Sequence, residues 1–445
     1  MKRFAIILAV LLASSPAWAA PAWVGGTLTG SGRTETLAYP ATCDSTTALA
    51  INRRGTSLTN ALTKYVVGAG GITATTHSPA ARTNFSKILA VGCNSTTAIV
   101  AGGEIFMESA PLDDFDPWTN EQDAASVQGY GGTITATSPD KVWQSVTYET
   151  VGGKSWLYNF SLGGPKVNGN LASSTPAPGD SEIVGTSVSG TYYCSIAGEY
   201  SSGQPYMRGY TSGTSYAFTT QSPGVVMNTG SYFYPPFGLS ATACVATVKR
   251  ASNAQTYILS APIGGTITRV NAGMIDLIPL GDWDPTGSLR RGWWINKADG
   301  TVRVSNSATT VASIATNVTY DIGSTPLGGS TPLFAITGLD VDRDSTATDN
   351  PVVMMADGSH FAAYGECVDA DGDGYPGADS MFCSTHTEDC NDADADINPG
   401  ATEVCGDSID NDCSGGDEAC PSGARVVTPS SYGEIYGGTY GGPRP

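Results

Sequence analysis

Basic residues and histidine are scarce in this chain of 445 residues. It carries 22 Lys and Arg against 41 Asp and Glu, with three His, for a formal net charge of −19. Nucleic-acid binding needs a basic face, so this balance argues against a nucleic-acid partner. The chain also lacks a Gly-x-Ser-x-Gly nucleophile elbow and an HExxH zinc-protease motif. We therefore predict no catalytic residue and favour a non-enzymatic protein, while leaving an enzyme open.

Long apolar runs are absent after the first twenty residues. Lys2 and Arg3 precede the ten apolar residues FAIILAVLLA, and Ala17-Trp18-Ala19 gives a small-x-small cleavage pattern. Residues 1–20 are therefore predicted to be a signal peptide, cleaved near Ala19 or Ala20. No later stretch reaches the length needed to cross a bilayer as a helix, so we expect no transmembrane segment. The predicted location is extracellular or on the outer cell surface, with the periplasm as an alternative.

Runs with helical periodicity are missing as well. Short Val/Ile/Tyr/Thr stretches alternate with turns rich in the 55 glycines, which is typical of an all-β protein. Seven strand–Gly–strand segments recur with a mean spacing of about 48 residues, and CDSTTALA (43–50) nearly repeats as CNSTTAIV (93–100). The turn glycines of these segments are Gly71, Gly132, Gly164, Gly213, Gly265, Gly300 and Gly358.

Repeats of this length are typical of β-propeller blades, which bury their two apolar faces against neighbouring blades. The sequence predicts a seven-bladed β-propeller over residues 41–365, after an N-terminal linker at 21–40. A set of tandem β-sandwiches is the alternative, but each would need about 100 residues.

Ten cysteines in an exported chain predict disulfides. Four occupy the same repeat position in the body, where pairing 43–93 and 194–244 is one interpretation and small apolar core residues are another. Six more lie near the C-terminal end. The full set is Cys43, Cys93, Cys194, Cys244, Cys367, Cys383, Cys390, Cys405, Cys413 and Cys420.

Most of the negative charge belongs to residues 366–420, which hold sixteen Asp or Glu and no Lys or Arg. Such a segment stays open unless cations and disulfides hold it together. Asp369, Asp371 and Asp373 alternate and are followed by Gly374 and Tyr375, as in the first half of a calcium loop. The twelfth position is Ser380 rather than Glu, so this is not an EF-hand. We expect the missing ligands to come from Asp379 or from the next acidic cluster.

That next cluster resembles the MopE-type Cys/Asp-rich metal-binding motif family. The matching elements are Asp389-Cys390-Asn391-Asp392, Ile397-Asn398-Pro399-Gly400-Ala401 with Glu403 and Cys405, and Asp407 with Asp410-Asn411-Asp412-Cys413. Ser414-Gly415-Gly416 departs from the family, whose members often carry an acidic residue before Gly. The resemblance covers roughly 55 residues and implies a bacterial secreted or cell-surface protein with a module for divalent cations.

The metal ligands expected from the calcium-loop pattern and the resemblance together form one set. They are Asp369, Asp371, Asp373, Tyr375 through its carbonyl, Asp379, Asp389, Asn391, Asp392, Asp394, Asp396, Asn398, Glu403, Asp407, Asp410 and Asp412. Oxygen ligands favour Ca²⁺, in a structural role. Zinc would need Cys/His spacing that is absent. Copper would need His or Met, and only Met381 and His386 are available here.

The sequence thus predicts a secreted or cell-surface calcium-binding protein that uses a propeller as an interaction or adhesion platform. Its ligand would be an unknown protein or glycan. The alternatives are an exported propeller enzyme acting on polysaccharide and a copper-binding surface protein. Paired carboxylates at the propeller mouth would favour the enzyme, whereas an apolar mouth would favour binding. The Gly/Tyr-rich tail, residues 421–445, is predicted to be disordered.

Overall fold

The computed structural model describes the chain between residues 21 and 420, with gaps. The described residues are 21–30, 37–53, 61–68, 70–77, 88–102, 106–115, 117, 119–123, 129–138, 141–148, 155–161, 170–171, 183–189, 192–198, 205–211, 232–234, 236–250, 253–262, 265–285, 290–323, 331–343, 350–355, 358–378, 380–384 and 387–420. The predicted signal peptide and the predicted disordered tail lie outside them.

The chain divides into two compact units. The first, called the β unit, comprises Ala19–Glu366 and Ser380–Phe382. The second, called the Cys/Asp-rich unit, comprises Cys367–Asp379 and the chain from Cys383 onward.

The β unit is all-β, as predicted, and its described residues form 29 strands in seven antiparallel sheets. In chain order the first four sheets are β3–β6 (Leu37–Thr42, Thr47–Arg53, Ala61–Gly68, Gly71–His77), joined by β2 (Thr29–Gly30); β7–β10 (Ile88–Cys93, Thr97–Gly102, Phe106–Pro111, Thr119–Asp123); β11–β14 (Gly129–Ser138, Lys141–Tyr148, Ser155–Ser161, Asn170–Leu171); and β15–β17 (Ile183–Ser189, Tyr192–Gly198, Pro205–Thr211).

The last three sheets lie between residues 232 and 365. They are β18–β22 (Tyr232–Phe233, Phe237–Leu239, Ala243–Lys249, Thr256–Pro262, Thr268–Gly273); β23–β26 (Leu277–Trp283, Arg291–Asn296, Val302–Ser305, Ile314–Asn317); and β27–β29 (Pro332–Leu339, Asn350–Met355, His360–Gly365), joined by β1 (Ala22–Thr27). One strand pair departs from the antiparallel pattern, since β2 runs parallel to β6.

Successive sheets pack through one strand of each, which is the first strand of the sheet except in the fifth, where it is the second strand, β19. Strand β3 contacts β7, β7 contacts β11, β11 contacts β15, β15 contacts β19, β19 contacts β23, β23 contacts β27, and β27 returns to β3. Apolar clusters lie between neighbouring sheets, such as Tyr65 and Ile72 with Phe334 and Phe361 between the first and the seventh. Small antiparallel sheets packed in a cycle are typical of a propeller-like fold, because each sheet covers its neighbour's apolar face.

The seventh sheet takes its outer strand from the start of the β unit. Strand β1 pairs with β29 along its whole length, from Ala22 opposite Gly365 to Thr27 opposite His360. The segment expected to be a linker at 21–40 therefore contributes a strand that covers the edge of β29. An uncovered edge would expose unpaired backbone groups, so this pairing protects the place where the first and last strands of the unit meet.

Gly26 is the tightest point of this closing strand. A Cβ at Gly26 would lie 2.6 Å from the ring of Phe361, which is itself 2% exposed. We expect Gly26→Val to lower the free energy of unfolding by about 1–3 kcal/mol, because the ring must leave its packed position. Urea denaturation of the oxidised protein would measure the change. Thr27→Val, at an exposed position of the same strand, is the matched control, and an equal loss in both variants would contradict this explanation.

The repeated octet occupies equivalent places in the first two sheets. Asp44 Oδ1 accepts the N–H groups of Thr46 and Thr47 at 2.9 and 2.7 Å. Asn94 Oδ1 accepts those of Thr96 and Thr97, both at 2.9 Å. Each Asx turn thus leads from the first strand of its sheet into the second, because a short carboxylate or amide side chain can bond the backbone two and three residues on.

The cysteine that precedes each Asx turn joins the two sheets. Cys43 and Cys93 form a disulfide with their Cα atoms 4.7 Å apart. Cys244 is also disulfide-bonded. The side chain of Cys194, its expected partner, lies outside the described residues, so the 194–244 pair stays a prediction.

The predicted hairpin glycines fall into four groups. Gly71, Gly300 and Gly358 adopt φ values of 127°, 71° and 67° at or next to turns, where a side chain would be strained. Gly265 lies in the connection between β21 and β22. Gly132 differs, because it lies inside β11, where the pairing with β12 shifts register between Tyr130 and Gly132. Gly164 and Gly213 lie outside the described residues.

Candidate metal centre

Disulfides provide the frame of the Cys/Asp-rich unit, whose described residues contain neither helix nor strand. Cys367 pairs with Cys383, Cys390 with Cys413, and Cys405 with Cys420, with Cα separations of 4.8, 5.6 and 4.9 Å. Turns and short side-chain-to-backbone hydrogen bonds fill the space between them. A segment with so little apolar surface depends on such cross-links for a defined shape.

The Asp369–Tyr375 loop curls around its own carboxylates. Asp369 accepts the N–H groups of Gly372 at 2.7 Å and Gly374 at 2.9 Å. Gly372 and Gly374 have φ values of 80° and 97°, which glycine adopts without strain. Asp373 accepts the N–H of Tyr375 at 2.8 Å. These bonds turn Asp369, Asp371 and Asp373 inward, so that one carboxylate oxygen from each lies within 4.8 Å of the others.

A second segment adds two carboxylates to this loop. The Asp389 N–H donates to the Pro376 carbonyl at 2.9 Å, and the Ala370 N–H donates to Asp392 Oδ1 at 2.8 Å. As a result, oxygens of Asp371, Asp389 and Asp392 also lie within 4.8 Å of one another. We call these five carboxylates cluster 1: Asp369, Asp371, Asp373, Asp389 and Asp392.

Two glycines allow the segments to approach this closely. A Cβ at Gly377 would lie 2.4 Å from a carboxylate oxygen of Asp392, and a Cβ at Gly400 would lie 2.3 Å from the Tyr375 hydroxyl. Tyr375 therefore ties the calcium-like loop to the Asn398–Ala401 turn through its ring. Tyr375 of the loop and Gly400 of the motif are therefore the two sides of one packing contact.

Cluster 1 concentrates negative charge that its own hydrogen bonds do not neutralise. Burial raises the pKa of Asp371, and the charges of Asp373, Asp369 and Asp392 add to the effect. Burial likewise raises the pKa of Asp389, again with help from neighbouring carboxylates. One oxygen each of Asp371, Asp373 and Asp389 is fully buried and receives no hydrogen bond from the described residues. Buried, unpaired carboxylate oxygens are costly, so these residues fit a divalent cation bound among them.

A second group, cluster 2, comprises Glu403, Asp410 and Asp412. Five of its six carboxylate oxygens accept backbone N–H groups. Glu403 Oε2 accepts the N–H of Asn411 at 2.8 Å, and Asp410 accepts those of Ser414 at 3.1 Å and Gly416 at 2.8 Å. None of the buried oxygens without a partner in the described chain belongs to cluster 2. These carboxylates therefore mainly cap turns. Cluster 1 is the stronger candidate for a metal site, because it contains buried oxygens without a hydrogen-bond partner in the described residues.

Sulfur is not available as a ligand near cluster 1. Cys390 and Cys413 lie close to Asp389, but they are bonded to each other. A disulfide sulfur has no thiolate to offer a metal. The described donors around Asp389 are therefore oxygens alone.

The remaining predicted ligands lie outside both clusters. Asp379 is outside the described residues. Asn391 donates its N–H to Asp389 at 2.9 Å, and Asp407 accepts the N–H of Ile409 at 2.9 Å. The expected carboxylate ligands that no described cluster includes are Asp394, Asp396 and Asp407. Tyr375, Asn391 and Asn398, which would bind through carbonyl or amide oxygens, stay predictions.

Sequence reasoning missed the role of Asp417. Its two carboxylate oxygens accept the N–H groups of Gly406 and Ser408, the latter at 2.8 Å, and so close the turn after Cys405. An acidic residue placed three before the last cysteine was the available signal.

Comparison with known families supports the motif. The family model Cu-binding_MopE, described as "Putative metal-binding motif", matches residues 389–419. This confirms the resemblance for that segment, which includes Asp389 and Asp392 of cluster 1 and the whole of cluster 2. The Asp369–Tyr375 loop lies before the matched segment. No curated protein matches the chain.

Solved structures resemble the chain only distantly. An oligogalacturonate lyase from Vibrio parahaemolyticus is 9% identical with a TM-score of 0.40, covering 77% of this chain and 97% of its own. An oligogalacturonate lyase in complex with manganese is 10% identical at 0.43, with coverages of 77% and 96%. A prolyl endopeptidase is 11% identical at 0.41, and the match covers 76% of this chain and 45% of the endopeptidase. At these TM-scores the similarities carry no argument about function.

No helix in the described part of the chain has the length and apolar character of a membrane span.

Proposed function

We propose that this chain is an exported calcium-binding protein in which Ca²⁺ stabilises the Cys/Asp-rich unit. The observation that carries the proposal is the convergence of buried, unpartnered oxygens from Asp371, Asp373 and Asp389. Exposed acidic groups need no cation, but buried ones without donors do. Four disulfides among the described residues are consistent with export, since disulfides persist in oxidising compartments.

Calcium suits the donor set better than copper or zinc. Hard carboxylate oxygens favour Ca²⁺, whereas copper and zinc favour imidazole, thioether or thiolate. Cluster 1 contains five carboxylates, and the cysteines nearest to it are oxidised to a disulfide. When bound, the cation supplies positive charge that permits the Asp369–Tyr375 loop and the Asp389–Asp392 turn to remain together. This is a structural role.

We further propose that the β unit is a seven-bladed propeller serving as an interaction or adhesion platform. The cycle of contacts through β3, β7, β11, β15, β19, β23 and β27 supports this architecture. A cavity of about 200 Å³ lies between four of those strands, β3, β19, β23 and β27. Its lining includes Phe237, Leu280 and Phe334. No carboxylate lines it among the described residues. Thr42, Thr337 and Tyr234 carry its hydroxyl groups, and the Tyr234 hydroxyl donates to Asp276 Oδ1 at 2.6 Å. A mostly apolar lining whose described residues include no His or carboxylate favours binding over acid–base chemistry.

Calorimetry and metal analysis test the calcium proposal together. We expect the oxidised full-length chain, purified without added metal, to bind Ca²⁺ with a dissociation constant of about 10⁻⁴–10⁻³ M, the range of extracellular calcium modules. We expect elemental analysis after dialysis against equal calcium and copper to find calcium. Bound copper with no measurable calcium would overturn the proposal in favour of a copper-binding protein.

A further inference from the structure

A second cavity lies at the rim of the β unit, between the closing strand and the turn that follows β26. Its volume is about 650 Å³, and its walls include Trp23, Gly25, Asp321, His360 and Tyr364. Strand β1 is the outer strand of the seventh sheet, so this cleft is distinct from the apolar cavity among the inner strands. Clefts of some hundreds of cubic ångströms with aromatic walls and a few polar groups are typical ligand sites.

Strand register explains the shape of the cleft. Directly paired residues of an antiparallel sheet point to the same face. On the face toward the sixth sheet, Trp23 pairs with Tyr364, Gly25 with Ala362, and Thr27 with His360. Large rings thus stand at one end and polar side chains at the other. The two smallest residues lie between them and leave a hollow.

The aromatic end of the cleft is held in a fixed position. Trp23 meets Trp283 and Tyr364 edge to face, with ring centroids 5.9 and 5.5 Å apart. Its indole Nε1–H donates to the Tyr320 carbonyl at 2.6 Å. Burial raises the pKa of Tyr364, with further contributions from Tyr320 and Glu366. The phenol therefore stays neutral at ordinary pH, which suits binding rather than proton abstraction.

The turn after β26 adds the carboxylate of Asp321 to the cleft wall. Asp321 Oδ1 accepts the Gly323 N–H at 2.8 Å, which orients the group. Its second oxygen has no hydrogen-bond partner in the described part of the chain. Thr319 and His360 add polar groups around the same space. The cleft therefore combines a fixed aromatic side chain with hydrogen-bonding side chains, and Asp321 is the single carboxylate on its described walls.

We propose that this cleft binds a saccharide, with the apolar face of a sugar ring against Trp23, which Tyr364 supports from behind, and the sugar's hydroxyl groups bonded to Asp321 and His360. A sugar combines an apolar C–H face with many hydroxyls, which matches both ends of the hollow. A purely apolar ligand would leave Asp321 unpaired at a cost. An extended peptide added to the edge of β1 would use backbone groups instead and would not depend on Asp321. This inference rests on the proposed interaction role of the β unit.

Titration with defined oligosaccharides tests the site. Maltohexaose, cellohexaose and chitohexaose are each titrated into the full-length, oxidised, calcium-loaded protein by isothermal calorimetry. We expect at least one to bind, and Asp321→Ala to weaken that binding about 10- to 100-fold through loss of a charged hydrogen-bond acceptor. Gly25→Leu, which fills the hollow from an exposed strand position, is expected to weaken it at least as much.

Asp299→Ala is the matched control. Asp299 caps the turn after β24 by accepting the Thr301 N–H at 2.9 Å, as Asp321 does for Gly323, but it lies outside the cleft. Its substitution should leave saccharide affinity within about twofold of the wild-type value. Equal affinity in wild type, Asp321→Ala and Gly25→Leu would overturn this site while leaving the platform role intact. Failure of all three sugars to bind a chain that still binds calcium would overturn the saccharide inference alone.

Discussion

Asp389→Asn is expected to change the stability of the Cys/Asp-rich unit in opposite directions with and without calcium. In EDTA the variant should be more stable than wild type, because it removes one of several buried carboxylates that repel each other. In excess calcium it should be less stable, because the cation loses a ligand. The substituted amide would keep an oxygen acceptor for the Asn391 N–H, which Asp389 Oδ1 accepts at 2.9 Å. The substitution therefore tests charge rather than the local turn.

Thermal unfolding in millimolar CaCl₂ and in EDTA measures both the expected loss of stability with calcium and the expected gain without it. Calcium at about 10 to 100 times its dissociation constant stabilises a protein by about 1.4–2.7 kcal/mol, and we expect Asp389→Asn to lose most of that gain. Asp396→Asn is the control, because Asp396 is exposed and belongs to neither cluster. It should reproduce the wild-type response. A calcium response in Asp389→Asn equal to that of wild type would show that cluster 1 does not hold the ion.

The double substitution Cys43→Ser/Cys93→Ser should produce the largest loss of stability in the β unit. The bond closes a loop of 50 residues between the first and second sheets. On the chain-entropy model, removing a cross-link over that length lowers the free energy of unfolding by about 4 kcal/mol. Because β3 and β7 also contact each other, the sheets should remain paired in the folded state, and the effect should come mainly from the unfolded chain.

Denaturant titration of the oxidised proteins measures this loss, and a second cysteine pair provides the comparison. Cys367→Ser/Cys383→Ser removes a bond of sequence separation 16 in the Cys/Asp-rich unit. It should alter the calcium-dependent transition and leave the β-unit transition in place. The Cys43/Cys93 variant should do the reverse. If both variants shift the same transition by the same amount, the two units do not unfold as separate elements.

Local chemistry in the sequence predicts the parts of the β unit that short segments determine. The octets around Cys43 and Cys93 fold alike because Asp44 and Asn94 cap the same turn. The turns at Gly300 and Gly358 can also be predicted locally, because both glycines adopt positive φ values that other residues rarely adopt. At Gly132 the sequence is ambiguous, because a glycine within a strand-like stretch is compatible with both a turn and a bulge. Only its pairing with β12 decides between them.

Long-range pairing explains what the sequence does not reveal. Strand β1 ends at Thr27 and meets β29, which lies more than 300 residues later. Nothing within residues 21–40 specifies that partner, so the local pattern predicts a linker there. The pairing follows from the need to cover an edge, which is a property of the whole sheet.

In the candidate metal centre, too, local spacing predicts some of the ligands, and contacts between distant segments determine the others. Alternating Asp369, Asp371 and Asp373 predict half a calcium site from spacing alone. Because Ser380 occupies the twelfth position instead of Glu, the remaining ligands are expected from Asp379 or the next acidic cluster. Which of the many later carboxylates turn inward depends on contacts such as that of the Asp389 N–H with Pro376. Asp394 and Asp396, which the sequence also predicts as ligands, belong to the same run but are exposed.

Hydrogen–deuterium exchange of the oxidised full-length protein, followed by mass spectrometry, tests the central claim most directly. With millimolar calcium, we expect slowed amide exchange in peptides covering residues 367–378 and 387–413, and unchanged exchange in the strands of the β unit. In EDTA the same peptides should exchange rapidly although their disulfides remain closed. Identical exchange of these peptides in calcium and in EDTA would contradict the claim that a divalent cation holds them together.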